Sequence, residues 1–255
     1  GQKLYHAGLL GAEGAQLADL LASCGVDLRY LKRTQIPQGH AIIQVEPNGQ
    51  NCIFTYGGSN MAVSPEDIDE VFSHFDAGDY LLMQNEMSNL TYMLRAAVQR
   101  GLRVVLNVSP ISEEILHVDL SGVDWLVVNE IECARMAGCE DPQAGYETLK
   151  QRYPSLGILL TLGSEGSVSW KDGAEIRQCA YPVQAVDTTG AGDAFFAGAV
   201  IGQTYGKTMM ESCEIGTRLA ASVITTGENV CPRYLPSEFG LDVPTVDDAQ
   251  IALEL

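Results

Sequence analysis

The stretch Asp187-Thr188-Thr189-Gly190-Ala191-Gly192-Asp193-Ala194-Phe195-Phe196-Ala197-Gly198 is the most informative part of this 255-residue sequence. We expect a strand to end near Val186 and a helix to begin near Gly192. The glycines allow successive backbone N–H groups to point at one spot, and the helix dipole adds positive potential there. The pattern therefore predicts a place where a developing negative charge is stabilised.

Asp193 falls in the first turn of this predicted helix. An acid at that position often does no more than complement the helix dipole. It also suits a general base that takes a proton from a hydroxyl group attacking phosphorus. The residues alone leave both interpretations open.

Outside this stretch, short apolar runs alternate with amphipathic helical patterns, which is typical of βαβ units. Such runs are expected as strands of a parallel sheet covered on both faces, with ligands at the carboxyl ends of the strands. The predicted strands are residues 80–83, 103–108, 124–128 and 157–162, and the predicted helices include those that begin at Ser64 and Ser88. The fold class is therefore α/β.

Two segments break the alternation. Residues 40–56 predict a β-hairpin with a turn at 47–49, and we expect it to form a small lid. Residues 167–170 and 176–186 predict antiparallel strands at a sheet edge, joined by a turn at 171–173. Because no linker or internal repeat is evident, we expect one domain over residues 1–255.

The composition limits the partners. With 15 Lys and Arg residues against 33 Asp and Glu residues, the formal net charge is -18. This charge repels nucleic acid and anionic membranes, so we expect neither as a partner. It does not exclude ATP, because backbone N–H groups at a helix N-terminus bind phosphate without basic side chains. The scattered cysteines, without a CxxC pair, predict reduced thiols in a cytoplasmic protein.

The run D-T-T-G-A-G-D-A-F at 187–195 closely resembles the signature of the ribokinase-like (PfkB) carbohydrate kinases. The resemblance implies a ribokinase-like α/β fold, with a mainly parallel sheet between helices and a small β lid. It also implies ATP-dependent phosphorylation of a sugar hydroxyl, with Mg²⁺ and K⁺. By this resemblance, Asp193 is the catalytic base, which contacts the sugar. The other residues that it assigns are Gly190, Ala191 and Gly192 as the anion hole, and Asp187 and Thr189 as ligands of the monovalent cation.

Further motifs follow in the order of that family. Asn129 and Glu132 resemble an N-x-x-E motif that lies near the phosphates and the hydration shell of Mg²⁺, although Asn129 would also cap a helix well. The run T-L-G-S-E-G at 161–166 resembles the nucleotide loop, which assigns Thr161, Gly163 and Gly166 to ATP. Glu86 resembles an acid that contacts the sugar, and Asn107 resembles a residue near the phosphates.

The sequence departs from the family at two places. Nothing before Gly8 supplies the family's N-terminal strand with its sugar-binding Asp, and the loop after Gly227 is irregular. We therefore expect the chain as given to bind ATP weakly without phosphorylating a sugar, and to pair with another copy through the lid. The alternatives are a truncated or degenerate member that only binds nucleotide, a nucleoside or fructose-phosphate kinase of the same fold, and a non-enzymatic scaffold.

Overall fold

The computed structural model describes residues 2–45, 51–226, 230–232 and 234–241. The chain groups into two compact units, an N-terminal unit of residues 3–158 and a C-terminal unit of residues 159–255 together with residues 1–2. No helix in the described ranges is both long enough and apolar enough to cross a bilayer. The single domain over 1–255 stays a prediction.

The N-terminal unit contains seven complete strands and five α-helices among its described residues. They are β1 (Tyr5–Leu10), α1 (Ala15–Ser23), β2 (Asp27–Arg33), β3 (His40–Val45), β4 (Asn51–Tyr56), α2 (Pro65–Phe72), β5 (Tyr80–Gln84), α3 (Leu90–Arg100), β6 (Arg103–Asn107), β7 (Val123–Asn129), α4 (Glu130–Ala137) and α5 (Pro142–Arg152). The boundary between the units falls within β8 (Gly157–Thr161). The C-terminal unit continues with β9 (Ser167–Lys171), β10 (Ala174–Gln178), α6 (Ala191–Thr204) and α7 (Met209–Ile224).

Parallel pairing dominates the N-terminal unit. Strand β6 pairs in parallel with β5 and with β7, and β1 pairs in parallel with β2. The side chains of Val104, Val105 and Leu106 on β6 are at most 1% exposed, as expected for a strand covered on both faces. The predicted α/β class with a mainly parallel sheet is confirmed, and each of the four predicted strands lies within two residues of its predicted bounds.

Helix α2 begins as predicted from Ser64. The Ser64 Oγ accepts a hydrogen bond from the Asp67 N–H (3.1 Å), and Asp67 Oδ2 accepts one from the Ser64 N–H (3.1 Å). Lys32 Nζ lies 2.6 Å from Asp67 Oδ1. This ammonium, followed by the Ser64 hydrogen bonds, lowers the pKa of Asp67 to about 2. The Asp67 carboxylate of this capping box therefore stays ionised at neutral pH, and its ion pair with Lys32 connects α2 to β2.

The predicted N-cap of α3, Ser88, is wrong by one residue, because Asn89 precedes the helix. The helix begins at Leu90, after Asn89 in the left-handed region (φ 61°), and it ends before Gly101 (φ 78°), a residue type that is common after the last turn of a helix. Ser88 does not cap α3, because its Oγ donates a hydrogen bond to the Val63 carbonyl (2.8 Å). The Ser88 hydroxyl, which the sequence predicts as a helix cap, therefore forms a hydrogen bond with a residue far away in the sequence.

The predicted hairpin over 40–56 is confirmed by antiparallel pairing of β3 with β4. Ile42 opposes Phe54 and Ile43 opposes Ile53. Each described side chain in these two strands is exposed. This exposure explains why the segment departs from the alternation of buried strands and helices. The predicted turn at 47–49 lies outside the described residues.

In the C-terminal unit, β9 and β10 form the expected antiparallel pair around a turn with positive φ at Asp172 and Gly173. The second strand is shorter than predicted, since β10 ends at Gln178, and no strand leads into the helix near Val186. The Val186 N–H donates to the Ile224 carbonyl at the end of α7 (2.7 Å) and its side chain is 69% exposed. The apolar residues before α6 therefore form an irregular, exposed segment and not a buried strand.

Candidate active site

The amino-terminal turn of α6 places the predicted anion hole. Gly190 precedes the helix in the left-handed region (φ 81°), where residues with a Cβ are strained. Its carbonyl accepts the hydrogen bond of the Ala194 N–H (2.9 Å), and the Ala191 N–H donates to the Thr188 carbonyl (3.2 Å). The turn is tight and well defined, and the first N–H groups of the helix face its amino-terminal end.

Asp193 lies in the first turn of α6 with an exposed side chain. Beside it, a Cβ built on Gly192 would meet no atom within 4 Å, so the space over this turn is open. An open helix N-terminus with an acid at its rim suits an anionic group and a hydroxyl that loses its proton there. The structure brings these residues together, and the role of Asp193 as base stays a prediction.

Asp187 and Thr189 are brought together directly before this turn. Asp187 Oδ1 accepts a hydrogen bond from the Thr189 N–H (2.8 Å). This bond is the main cause that lowers the pKa of Asp187, so the carboxylate is ionised at neutral pH. A carboxylate oxygen is a suitable ligand for a hard cation, which fits the predicted monovalent-cation site. The predicted second half of that site, after Gly227, begins outside the described residues.

Thr161, Gly163 and Gly166 lie in one loop of the C-terminal unit, as predicted. Thr161 is the last residue of β8, and the loop is closed by a hydrogen bond from the Leu162 N–H to the Gly166 carbonyl (2.8 Å). A Cβ on Gly166 would lie 2.0 Å from the carbonyl oxygen of Gln178, so the packing against the end of β10 already requires a glycine there. The ATP contacts of this loop stay a prediction.

Glu86, Asn107 and Asn129 lie at the carboxyl edge of the parallel strands in the N-terminal unit. Asn107 pairs with Gln84 in β5 and with Val127 in β7, so β5 and β6 end level and β7 extends two residues further. Asn107 is buried and its Oδ1 accepts a hydrogen bond from the Ser109 N–H (3.1 Å), whereas Glu86 is exposed two residues beyond β5. This edge is where ligands bind in open α/β sheets.

Asn129 and Glu132 form a reciprocal capping box at the start of α4. Asn129 Oδ1 accepts from the Glu132 N–H (2.9 Å), and Glu132 Oε2 accepts from the Asn129 N–H (2.9 Å). The capping interpretation is therefore seen in the structure. Glu132 is 9% exposed, and only one of its oxygens is used in the cap, so its Oε1 fits a water of the Mg²⁺ hydration shell.

Glu214 on α7 is a further residue of this region, because it binds the segment that leads to α6. Gln178 Nε2 donates to Glu214 Oε2 (2.7 Å), and the Tyr181 hydroxyl donates to Glu214 Oε1. The contact raises the pKa of Tyr181. No sequence signal distinguishes Glu214 from an ordinary exposed acid in the middle of a helix, because its partners lie more than thirty residues away.

Comparisons with known proteins identify a family and several relatives to which this chain is similar. Residues 1–230 match the sequence profile of pfkB family carbohydrate kinases. A ribokinase from Arabidopsis thaliana is 33% identical over 244 residues, covering 89% of this chain and 64% of the relative. A ribokinase from Staphylococcus aureus is 31% identical over 184 residues, covering 69% of this chain and 60% of the relative.

Solved structures show the same fold. The structure of Arabidopsis thaliana ribokinase complexed with ribose and ATP has a TM-score of 0.74 and 26% identity, covering 93% of this chain and 81% of that chain. The chain nevertheless spans less than two thirds of the length of the two sequence relatives, 64% and 60%.

The first prediction separates two glycines of the anion-hole turn. Gly190→Ala should destabilise the fold by about 1 kcal/mol or more, because a Cβ is strained at positive φ. Gly192→Ala is the matched control and should not lower stability, because its Cβ has open space and Ala favours a helix. Urea unfolding followed by circular dichroism measures both. Equal loss in the two variants would contradict the assigned geometry of the turn.

Proposed function

The chain belongs to the pfkB family of carbohydrate kinases, and from this premise we propose that it transfers the terminal phosphoryl group of ATP to a sugar hydroxyl. The observation that carries the proposal is the amino-terminal turn of α6, where Gly190 is left-handed, the space over Gly192 is open and Asp193 lies in the first turn. Ribose is the first acceptor to test, because two relatives that match more than two thirds of this chain are named ribokinase.

In the proposed reaction, the Asp193 carboxylate takes the proton of the acceptor hydroxyl. The hydroxyl oxygen bonds to the γ-phosphorus, the bond between that phosphorus and the bridging oxygen breaks, and ADP leaves. The amides of Gly190, Ala191 and Gly192 stabilise the charge on the transferring group. Because phosphoryl transfer depends mainly on positioning and electrostatics, fixed amides at a helix N-terminus are well suited to it.

The remaining site residues are assigned within each unit. In the C-terminal unit, we assign Thr161, Gly163 and Gly166 to ATP, with support from the single closed loop that holds them. In the N-terminal unit, we assign Glu86 to the sugar, and Asn129 with Glu132 to the phosphate side.

The metal assignments rest on the chemistry of the oxygen donors. Glu132 suits Mg²⁺ through water, and the ionised Asp187 beside Thr189 suits K⁺. When bound, Mg²⁺ neutralises charge on the phosphate oxygens. We also place the protein in the cytoplasm, because its seven cysteines are scattered without a CxxC pair, a pattern typical of cytosolic proteins that keep their thiols reduced.

The second prediction tests the general base. Asp193→Asn should lower turnover by roughly 10²–10⁴-fold while ATP affinity is kept, because a positioned base contributes that much. The control is Glu211→Gln, since Glu211 also lies in the first turn of a helix and caps it through Thr208. A coupled ADP assay with ribose and calorimetry with ATP give the two readouts.

If Asp193 only complements the helix dipole, its variant will behave as the Glu211 variant does, with reduced stability and unchanged turnover. That result would remove Asp193 from the mechanism. ATP binding without sugar-dependent ADP release in the unmodified chain would agree with the expectation from the sequence for this 255-residue chain, and it would favour the alternative of a member that binds nucleotide without kinase activity.

The third prediction concerns the cation. Potassium should raise turnover or ATP affinity, because an ion held by Asp187 would order the turn that precedes the amides of α6. Asp187→Asn should abolish the difference between potassium and tetramethylammonium at matched ionic strength. Initial rates in the two salts measure it, and equal rates in the unmodified chain would contradict the site.

The fourth prediction is that the hairpin of β3 and β4 joins two copies of the chain. Directly opposed residues share a face, so Ile42 with Phe54 and Ile43 with Ile53 give both faces an apolar pair. Phe54 is 57% exposed and Ile53 is 53% exposed. If one face of the hairpin covers a bound sugar, the opposite face remains available to a second copy of the chain. Association is favoured because it buries exposed apolar surface.

Sedimentation velocity tests this pairing. Ile53→Ser with Phe54→Ser should shift a dimer to monomer, whereas Ile131→Ser should not, although Ile131 is 71% exposed on α4. A monomer at all concentrations in the unmodified chain would contradict the proposal.

A further inference from the structure

The segment that leads into β3, residues 36–39, is held on one side by the loop that follows β1. The Gly11 N–H donates to Gln38 Oε1 (2.7 Å), and the Gln38 N–H donates to Glu13 Oε2 (3.0 Å). The Ala12 N–H also donates to the Ile36 carbonyl (3.3 Å). Gln38 thus makes two hydrogen bonds with the same loop. Its side chain accepts one from Gly11, and its backbone N–H donates one to Glu13.

The same segment is held on its other side by the residues that follow β4. The Ser59 N–H donates to the Pro37 carbonyl (2.9 Å). A Cβ on Gly58 would lie 2.5 Å from the Pro37 oxygen, and a Cβ on Gly39 would lie 2.6 Å from the Gly57 oxygen. The entry and the exit of the hairpin therefore meet backbone to backbone, with no space for a side chain between them.

Gln38 fits closely against the first loop. A Cβ on Gly11 would lie 2.4 Å from the Gln38 nitrogen, so the two backbones touch at this point. The hydrogen bond from Gln38 also lowers the pKa of Glu13, whose carboxylate is therefore ionised at neutral pH. We call residues 11–13, 36–39 and 57–59 the hairpin clamp.

The hairpin depends on this clamp for its direction. Every described side chain of β3 and β4 is exposed, and an isolated two-stranded hairpin is marginally stable in water. Neither strand belongs to a larger sheet, since β3 and β4 pair only with each other among the described residues. The points where the hairpin enters and leaves the N-terminal unit therefore fix how it is held.

We propose that Gln38 is a positioning residue: through Gly11 and Glu13 it fixes the direction of the hairpin and, by that route, the affinity for the acceptor alcohol. The second half rests on the proposed kinase function and on the hairpin acting as a lid. Gln38 itself need not touch the acceptor. Its effect differs from that of a catalytic residue, because it should change acceptor binding and leave ATP binding unaltered.

The test compares Gln38→Met with Gln44→Met in the full chain. Methionine keeps the length of the side chain and removes the oxygen that accepts from Gly11, whereas Gln44 is an exposed residue of β3 outside the clamp. Amide hydrogen exchange in β3 and β4 should become about five- to tenfold faster in Gln38→Met, in keeping with the loss of one hydrogen bond. The KM for the acceptor should rise by a similar factor, with the KM for ATP unchanged.

Variants of Glu13 provide the rescue. Glu13→Gln keeps an oxygen that accepts from the Gln38 N–H and should behave as the unmodified chain, whereas Glu13→Ala should reproduce the faster exchange. Hairpin exchange that is the same in Gln38→Met and Gln44→Met would overturn the clamp. So would faster exchange spread evenly over the N-terminal unit, which would indicate a general loss of stability.

The two halves of the proposal are separable. Faster hairpin exchange with an unchanged acceptor KM in an active enzyme would overturn the link to acceptor binding. If the chain transfers no phosphoryl group, the proposed function fails, and the exchange measurement by itself supports or overturns the role of Gln38 in the clamp.

Discussion

The close packing of α6 against α7 is the constraint on which the C-terminal unit depends. A Cβ on Gly198 would lie 2.7 Å from the Cα of Gly216, and a Cβ on Gly216 would lie 2.6 Å from the Phe195 carbonyl oxygen. The two backbones therefore touch, and neither helix can slide along the other without a clash. The segment before α6 is also tied to the end of α7 through Val186 and Ile224. Together these contacts fix the amino-terminal turn of α6, in which the Ala191 N–H already donates to the Thr188 carbonyl and would be shared with a bound anion.

Much of the fold follows from the sequence because its signals are local. Buried parallel strands appear as short apolar runs, and the start of α2 at Ser64 is readable from residue type. The errors arise where a distant partner decides the structure. Ser88 bonds to the Val63 carbonyl instead of capping α3, and the apolar residues around Val186 bond to α7 instead of forming a strand.

The site is harder to predict because the same residues serve structure and chemistry. Asn129 and Glu132 cap α4 whether or not phosphate binds nearby, and the packing at Gly166 requires a glycine whether or not ATP lies along the loop. The family signature identifies such residues, and local physics alone does not separate their two roles. The clamp at Gln38 has no sequence signature, because it depends on three loops that meet only in the folded unit.

The central claim is that the amides at the start of α6 hold the transferring phosphoryl group. The most direct measurement is the NMR shift of the isotopically labelled Gly190, Ala191 and Gly192 amides on addition of MgADP, aluminium fluoride and the acceptor sugar, which together imitate the transferring group. We predict that these three amide signals shift strongly with the full mixture and only weakly with MgADP alone. The control is a shift of amide signals elsewhere in the chain, which shows that the nucleotide has bound. If those signals shift and the signals of all three residues stay unchanged, the account is contradicted.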